Sequence, residues 1–205
     1  MRVAVFASGS GTNLQALLDA CRPPAPATVA LVVSNQATAG ALDRARQAGV
    51  ATQVLKNPAH GPGLVELLRA HQVDLVVLAG YLKLVPGDVI QAFRDRILNI
   101  HPALLPAFGG PGMYGKRVHQ AVLASGATVS GATVHVVNEE YDRGPILAQW
   151  PVPVEPGDTP ETLGVRVLKV EHALLPAVVL AAARAGRVVR LWPDHEFGSP
   201  TCREL

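Results

Sequence analysis

Two side chains suited to chemistry lie in the segment 96–106, whose sequence is R-I-L-N-I-H-P-A-L-L-P. Its first half is apolar and rich in β-favouring residues, which predicts a short strand, and Pro102 ends that strand near His101. Asn99 and His101 are two residues apart, so both side chains point to the same face of the strand. An amide and an imidazole therefore lie together at the carboxyl edge of a sheet, where open α/β sheets bind ligands.

A glycine-containing turn, S-G-S-G-T-N at 8–13, separates a predicted first strand from a predicted helix. This arrangement offers backbone N–H groups at a helix N-terminus, where a phosphate is stabilised. A dinucleotide site would need a third glycine, where Leu14 stands, and an acidic residue after the second strand, which instead ends in Ser34 and Asn35. We therefore predict a small phosphomonoester ligand rather than NAD. The alternative is a tight turn with Thr12 or Asn13 near the helix cap.

Alternating strand and helix patterns predict an α/β fold, doubly wound around a mostly parallel central sheet. The predicted strands are 2–7, 29–33, 51–55, 74–79, 96–100, 128–138 and 146–154. The predicted helices are 14–21, 37–49, 64–71, 86–95, 118–125 and a last helix that Thr159 caps and that runs to 185. We also expect a loop at 57–63, a mobile lid or substrate loop at 107–115, a kink at Gly131, a break or kink at Pro176 and an edge strand at 187–191.

The composition excludes several partners. Lys plus Arg is 18 against 16 for Asp plus Glu, a net charge of +2, and no run of like charge indicates nucleic acid or a membrane surface. The N-terminal apolar run is too short for a signal peptide, and no run approaches the roughly 20 residues of a membrane helix, so we expect a cytoplasmic protein. Cys21 and Cys202 lack any metal or redox spacing and are interpreted as free thiols.

The string N-I-H-P-A-L-L-P at 99–106, followed by D-R-G-P-I at 142–146, resembles the catalytic signature of the folate-dependent formyltransferases. The resemblance covers nearly the whole chain and is strongest to those members that act on glycinamide ribonucleotide. It implies transfer of the formyl group of 10-formyltetrahydrofolate to the amino group of that ribonucleotide, in purine biosynthesis, without a metal or NAD. Such a transfer passes through a tetrahedral oxyanion, which needs hydrogen-bond donors and a group that carries protons.

The resemblance implies catalytic roles for Asn99, His101 and Asp142. Asn99 would donate its amide to the oxyanion, and His101, as an imidazolium, would donate a second bond and carry protons. Asp142 would hold His101 charged, because an adjacent carboxylate raises the pKa of a histidine. Each residue alone has an ordinary structural explanation, and only their combination indicates catalysis. His135 and His172 are interpreted as structural.

The resemblance also implies two sets of binding residues. The substrate-binding residues are Gly11, Thr12, Asn13, Lys169 and Glu171. The folate-binding residues are Leu82, Lys83, Leu84, Val85, Asn99, Asn138, Glu139, Glu140, Tyr141 and Asp142. The chain departs from some family members in two places: the 57–63 loop holds no folate-contacting arginine, and Leu168 stands where a polar substrate contact is found. Packing of the leucines and a solvated helix face for Glu171 are the structural alternatives.

We expect one formyltransferase domain over 1–205, with a phosphate-binding half at 1–100, a catalytic and folate half at 101–191 and an irregular tail at 192–205. The chain would be a monomer or homodimer with small-molecule substrates. One alternative is another folate-formyl enzyme, a formyltetrahydrofolate hydrolase or a methionyl-tRNA formyltransferase, although the second carries an additional nucleic-acid-binding domain. The alternative from another class is a non-catalytic, Rossmann-like nucleotide-binding module.

Overall fold

The computed structural model describes residues 1–191, and the predicted irregular tail at 192–205 lies outside this range. Within it, seven strands form one sheet in the order β3-β2-β1-β4-β5-β6-β7. The strands are β1 Arg2–Phe6, β2 Thr28–Ser34, β3 Ala51–Val54, β4 Leu75–Leu78, β5 Ile97–His101, β6 Val129–Val136 and β7 Ile146–Pro153. The helices are α1 Thr12–Ala20, α2 Gly40–Gln47, α3 Gly61–Ala70, α4 Gly87–Ala92, α5 Lys116–Ala124 and α6 Pro160–Ala185.

The predicted doubly wound, mostly parallel α/β fold is confirmed. Strands β1 to β5 pair in parallel, whereas β6 and β7 continue the sheet in antiparallel pairing. Buried side chains of α1, α2, α5 and α6 cover one face of the sheet, and those of α3 and α4 cover the other. The strand Leu75–Leu78 is buried at every residue, as expected for a parallel strand with helices on both faces.

The strand order determines where a crevice opens at the edge of the sheet. Successive strands run outward from β1 through β2 to β3, and the chain then returns to β4 on the other side of β1. The loops that leave β1 and β4 therefore diverge, and they open a crevice at the carboxyl edge of the sheet. The strand β5 lies next to β4, so its terminal residue His101 reaches the same edge.

Gly131 does not kink β6, contrary to the prediction. It pairs in register with Pro151, and the register shift lies instead between Val134 and His135. A Cβ on Gly131 would lie 2.2 Å from the Trp150 carbonyl oxygen, so this glycine permits close approach of β7. The predicted 57–63 loop was also partly wrong, because α3 already begins at Gly61.

The last helix begins as predicted and then continues past the expected break. Thr159 and Thr162 form a reciprocal capping box, with N···O distances of 3.3 and 2.9 Å. Pro176 removes one N–H donor, yet α6 runs unbroken to Ala185, because burial of its apolar side chains stabilises the helix. The segment 187–191 is not a strand, although the Leu191 N–H donates to the Leu147 carbonyl at 2.8 Å.

Candidate active site

A cavity of about 780 Å³ opens at the crevice between the loops that follow β1, β4 and β5. Most of the predicted site residues line it: Gly11, Thr12, Asn13, Leu82, Lys83, Leu84, Val85, Asn99, His101, Asn138, Glu140, Tyr141, Asp142 and Glu171. Two predicted residues lie elsewhere. Glu139 is exposed and pairs with Arg94 at 3.1 Å, and Lys169 is exposed on a part of α6 outside the cavity lining.

The three predicted catalytic side chains meet at one side of this cavity. The His101 Nδ1 lies 3.6 Å from the Asp142 Oδ2, and the Asn99 Nδ2 lies 3.5 Å from the Asp142 Oδ1. The side chains of His101 and Asp142 are only 4% and 11% exposed. Asn99 and His101 share a strand face, as their spacing predicts, and the loop after β6 brings Asp142 to that face.

His135 belongs to the same cluster, although the sequence analysis interpreted it as structural. Antiparallel pairing of β5 with β6 places His135 directly opposite Asn99. The His135 Nδ1 lies 2.9 Å from the Val136 carbonyl oxygen, which can only accept, so Nδ1 donates there and Nε2 is left to accept. The Asn99 amide donates to this Nε2 at 3.0 Å. His135 thereby orients the amide that the sequence analysis assigned to the oxyanion.

The pKa of His101 is lowered in the structure, whereas the sequence motif predicts a raised one. Burial, the largest influence, lowers the pKa of His101 below its ordinary value, and nearby His135 lowers it further. Asp142 and a hydrogen bond to the Phe108 carbonyl raise the pKa but do not reverse the outcome. These influences together favour the neutral imidazole form of His101. Burial disfavours the charged form, and the sequence motif alone does not show how deeply the ring is buried.

The loop at 107–115 hydrogen-bonds the catalytic side chains through its backbone. The His101 Nε2 donates to the Phe108 carbonyl oxygen at 2.9 Å, and the Gly110 N–H donates to the Asp142 Oδ2 at 2.8 Å. With its Nε2 proton on Phe108, a neutral His101 presents an unprotonated Nδ1 to Asp142. The Nδ1 and the Asp142 Oδ2 are 3.6 Å apart, which is too far for a hydrogen bond between them.

Asp142 is held in an unusual backbone conformation. Its φ is 54°, in the left-handed region that few non-glycine residues adopt. Burial raises the pKa of Asp142, but the contact with His135, the hydrogen bond from the Gly110 N–H and the nearby histidines outweigh burial, so the pKa lies below its ordinary value. Two residues on, a Cβ on Gly144 would overlap the Val136 carbonyl oxygen at 1.8 Å, so only glycine fits there. The D-R-G sequence thus fixes an ionised carboxylate in the cavity.

The turn before α1 has the geometry of an anion site. Gly11 is the helix N-cap with φ 76°, and no side chain caps the helix, which removes the capping alternative for Thr12 or Asn13. Within residues 1–191, no protein acceptor takes the N–H groups of Gly11, Thr12 or Asn13. Free N–H groups at a helix N-terminus are suited to a phosphate.

Glu171 of α6 lies beside this turn. The Asn13 Nδ2 donates to the Glu171 Oε2 at 2.6 Å, and both side chains are buried. The Asn13 Oδ1 is buried without a partner in the described structure. Burial raises the pKa of Glu171 to about 7, although the Asn13 donor lowers it. A carboxyl group that ionises near neutrality therefore adjoins the candidate phosphate site.

Large apolar side chains surround the cavity mouth. Six large apolar residues of the described chain are exposed, and five of them line the cavity: Leu82, Leu84, Tyr114, Tyr141 and Val165. Ser8 ties this rim to the turn before α1, because its Oγ accepts from the Leu82 N–H at 2.9 Å and donates to the Asn35 Oδ1 at 2.6 Å. An exposed apolar rim around a polar cavity is typical of a site for a large, flat ligand.

His119, Tyr81 and His135 line the cavity and were not identified as site residues from the sequence. His119 of α5 is buried and its Nδ1 has no partner in the described structure, and burial and nearby His101 lower its pKa. The Tyr81 hydroxyl is also buried without a partner, and burial raises its pKa to about 12. His135 completes the set. All three reach the cavity through tertiary packing, and no motif in the sequence marks them.

No helix among the described residues is long and apolar enough to cross a membrane. Across residues 1–191, no group of three His, Cys, Asp or Glu side chains is placed to hold a metal ion.

Comparison with known proteins gives one consistent result. The family described as formyl transferase matches residues 1–179. The chain is 50% identical over 186 residues to the chloroplastic phosphoribosylglycinamide formyltransferase of Arabidopsis thaliana, across 87% of this chain but 64% of that protein. It is 39% identical to the phosphoribosylglycinamide formyltransferase of Escherichia coli strain K12, across 87% of this chain and 85% of that protein.

A solved structure agrees with these relatives. The glycinamide ribonucleotide transformylase 1 of Symbiobacterium toebii superposes with a TM-score of 0.84 at 46% identity. The superposition covers 93% of each chain.

Proposed function

The chain belongs to the formyl transferase family, and we propose that it transfers the formyl group of 10-formyltetrahydrofolate to the amino group of glycinamide ribonucleotide. One observation carries the proposal: a single cavity is lined by the turn whose N–H groups are free, by exposed apolar side chains and by the predicted catalytic side chains. Relatives named for this activity support it, one of which the chain spans for 85% of its length. The 1–100 half would supply the phosphate end and the 101–191 half the catalytic residues.

The ribonucleotide would bind at the turn before α1. The N–H groups of Gly11, Thr12 and Asn13 would donate to its phosphate, because they point out of a helix N-terminus and have no protein acceptor. Glu171 lies one hydrogen bond from Asn13 and would accept from a ribose hydroxyl. These contacts hold the distant end of the substrate and leave its amine near Asn99 and His101.

The folate donor would bind under the apolar rim. Leu82, Leu84 and Tyr141 are about half exposed, at 54%, 58% and 48%, and a flat pterin and its aromatic ring would cover them. Polar groups of the 138–142 segment lie beside them and would fix the orientation of the pterin. The formyl carbon would then face the catalytic cluster.

The catalytic cluster would stabilise the oxyanion and move one proton. The Asn99 Nδ2 donates one hydrogen to the His135 Nε2, and the same nitrogen lies 3.5 Å from the Asp142 Oδ1. The second contact is weak, and a developing oxyanion would replace it. The neutral His101 Nδ1 would accept a proton released after amine attack. Asp142 then stabilises the imidazolium, which returns the proton to the departing folate nitrogen. No covalent enzyme intermediate is required.

Single-turnover kinetics tests this proposal with the wild type and the His101→Ala and Asp142→Asn variants. The wild type should form formylated ribonucleotide, and both variants should lose about a hundredfold or more of the rate while they stay folded. The matched control is Asp43→Asn, an exposed carboxylate that pairs with Arg46 and does not line the cavity, which should keep the rate. A wild type that hydrolyses the formyl donor without forming this product would show that the proposed acceptor is wrong.

A further inference from the structure

Helix α2 holds the outer side of the turn before α1. The half-buried Arg44 donates through Nε to the Ser10 carbonyl oxygen at 2.8 Å, and the Ala41 N–H donates to the Gly9 carbonyl oxygen at 3.1 Å. A Cβ on Gly11 would lie 2.6 Å from the Ala41 Cα, so the turn and α2 are in direct contact. Two successive carbonyl groups of the turn therefore face α2.

The direction of these carbonyl groups fixes the direction of the N–H groups that follow them. The Ser10–Gly11 peptide bond is trans, so its C=O and N–H point to opposite sides. Because the Ser10 carbonyl faces Arg44, the Gly11 N–H points away from α2, and Gly11 itself lines the cavity. Arg44 also donates through Nη1 to the Gln15 Oε1 at 3.1 Å, which ties the first turn of α1 to the same guanidinium.

We propose that Arg44 is a positioning residue for the substrate phosphate. It does not line the cavity, and it acts through the Ser10–Gly11 peptide group. The guanidinium orients that peptide so that its N–H faces the phosphate, and it polarises the peptide by binding the carbonyl oxygen. Without Arg44, the peptide would be free to rotate, and the Gly11 donor would have to be reoriented each time a ligand binds. An effect of Arg44 on turnover depends on the proposed function, whereas its effect on phosphate binding does not.

Calorimetric titration with ribose 5-phosphate tests the binding step directly. Arg44→Ala should weaken ribose 5-phosphate binding about tenfold, the size of effect expected for the loss of a charge-assisted hydrogen bond. Arg46→Ala is the matched control, since Arg46 lies on the same helix, is exposed and pairs with Asp43. Arg46→Ala should bind like the wild type. Equal Kd values for all three proteins would overturn the proposal.

Steady-state kinetics separates positioning from a general structural role. Arg44→Ala should raise the KM for glycinamide ribonucleotide about tenfold and leave kcat and the KM for the folate donor within about twofold. A parallel fall in kcat and rise in both KM values would indicate a distorted cavity and overturn the proposal.

A conservative variant provides a second measurement if Arg44→Ala does not fold. Arg44→Lys keeps the charge but cannot reach both acceptors with the guanidinium geometry, so its Kd for ribose 5-phosphate should be severalfold weaker than that of the wild type. A wild-type Kd would overturn the proposal. If the wild type binds ribose 5-phosphate but forms no formylated product, the proposed function fails while the titrations still decide the role of Arg44.

Discussion

Two loops that line the cavity differ in whether their backbone hydrogen-bonding groups are free to bind a ligand. The turn at 8–13 presents N–H groups that no protein atom accepts, and α2 holds it from outside. The loop at 107–115 instead uses its own backbone to bond His101 and Asp142. The first loop can therefore bind a phosphate as it stands. The second already occupies the His101 Nε2 and the Asp142 Oδ2, which leaves the His101 Nδ1 for the proton transfer of the proposed function.

The two loops also use different parts of the chain. In the proposed function the turn at 8–13 would bind phosphate through backbone groups, so binding would depend on φ angles and close packing rather than on side-chain identity. The catalytic side uses side chains whose pKa values depend on burial and on each other, as for His101 and Asp142. Substitutions near the first loop should therefore act by changing its backbone conformation. Substitutions near the second should act by changing the protonation of His101 and Asp142.

The strongest test of this contrast is a pair of substitutions in the turn at 8–13. Gly11→Ala places a Cβ 2.6 Å from the Ala41 Cα at a φ of 76°, so the turn must move. We expect the KM for glycinamide ribonucleotide to rise on the order of a hundredfold, since strain and displaced N–H donors add together. Thr12→Ala keeps the backbone and should change that KM less than about threefold. Steady-state kinetics measures both, and a larger effect for Thr12→Ala would contradict a backbone-based site.

The pH dependence of kcat tests the catalytic side. Burial lowers the pKa of His101 below 6.5, so the neutral form persists at neutral pH and protonation occurs only at lower pH. If neutral His101 is the active form, kcat at saturating substrates should stay level near neutrality and fall about tenfold per unit below that pKa.

Asp142→Asn sharpens the same test. Asp142 raises the pKa of His101, so its removal should move the acid limb of the residual kcat to lower pH. Asp43→Asn should leave the limb in place, because Asp43 is exposed and does not line the cavity. A kcat that instead falls as pH rises through neutrality would show that the imidazolium is the active form, as the sequence motif alone suggested.

The fold was predictable because burial leaves a clear pattern in the sequence. The strand Leu75–Leu78 is apolar at each position and buried at each position, and its spacing from neighbouring helices predicts a parallel sheet. Gly131 was misinterpreted because the sequence does not distinguish a glycine that kinks a strand from one that lets a neighbouring strand approach. Pro176 was misinterpreted because the sequence does not show how strongly packing stabilises α6.

The site was predictable only where its residues are close in sequence or share a motif. The motif identified Asn99, His101 and Asp142, and the structure brings them together. His135 was missed because its contact with Asn99, 36 residues away in the chain, depends on the register between β5 and β6. The lowered pKa of His101 was missed for a related reason, since burial depends on the assembled fold.

A smaller effect should appear in the free energy of unfolding, through Glu171, which lies beside the turn at 8–13. Glu171 has a pKa of about 7 because it is buried, whereas a glutamate in the unfolded chain ionises near 4.5. Between these values the folded state keeps a proton that the unfolded state has released. The contribution of Glu171 to the free energy of unfolding therefore falls as pH rises, by about 1.4 kcal/mol per pH unit.

Glu171→Gln removes this titration and keeps the side-chain shape. Urea unfolding at several pH values between 5 and 7 should show a stability slope less negative than that of the wild type by about 1.4 kcal/mol per unit. Glu66→Gln, on the exposed side of α3, should keep the wild-type slope. If Glu171→Gln also keeps it, Glu171 is already ionised when the cavity is empty. The Asn13 hydrogen bond would then outweigh burial, and this end of the cavity would carry a fixed negative charge.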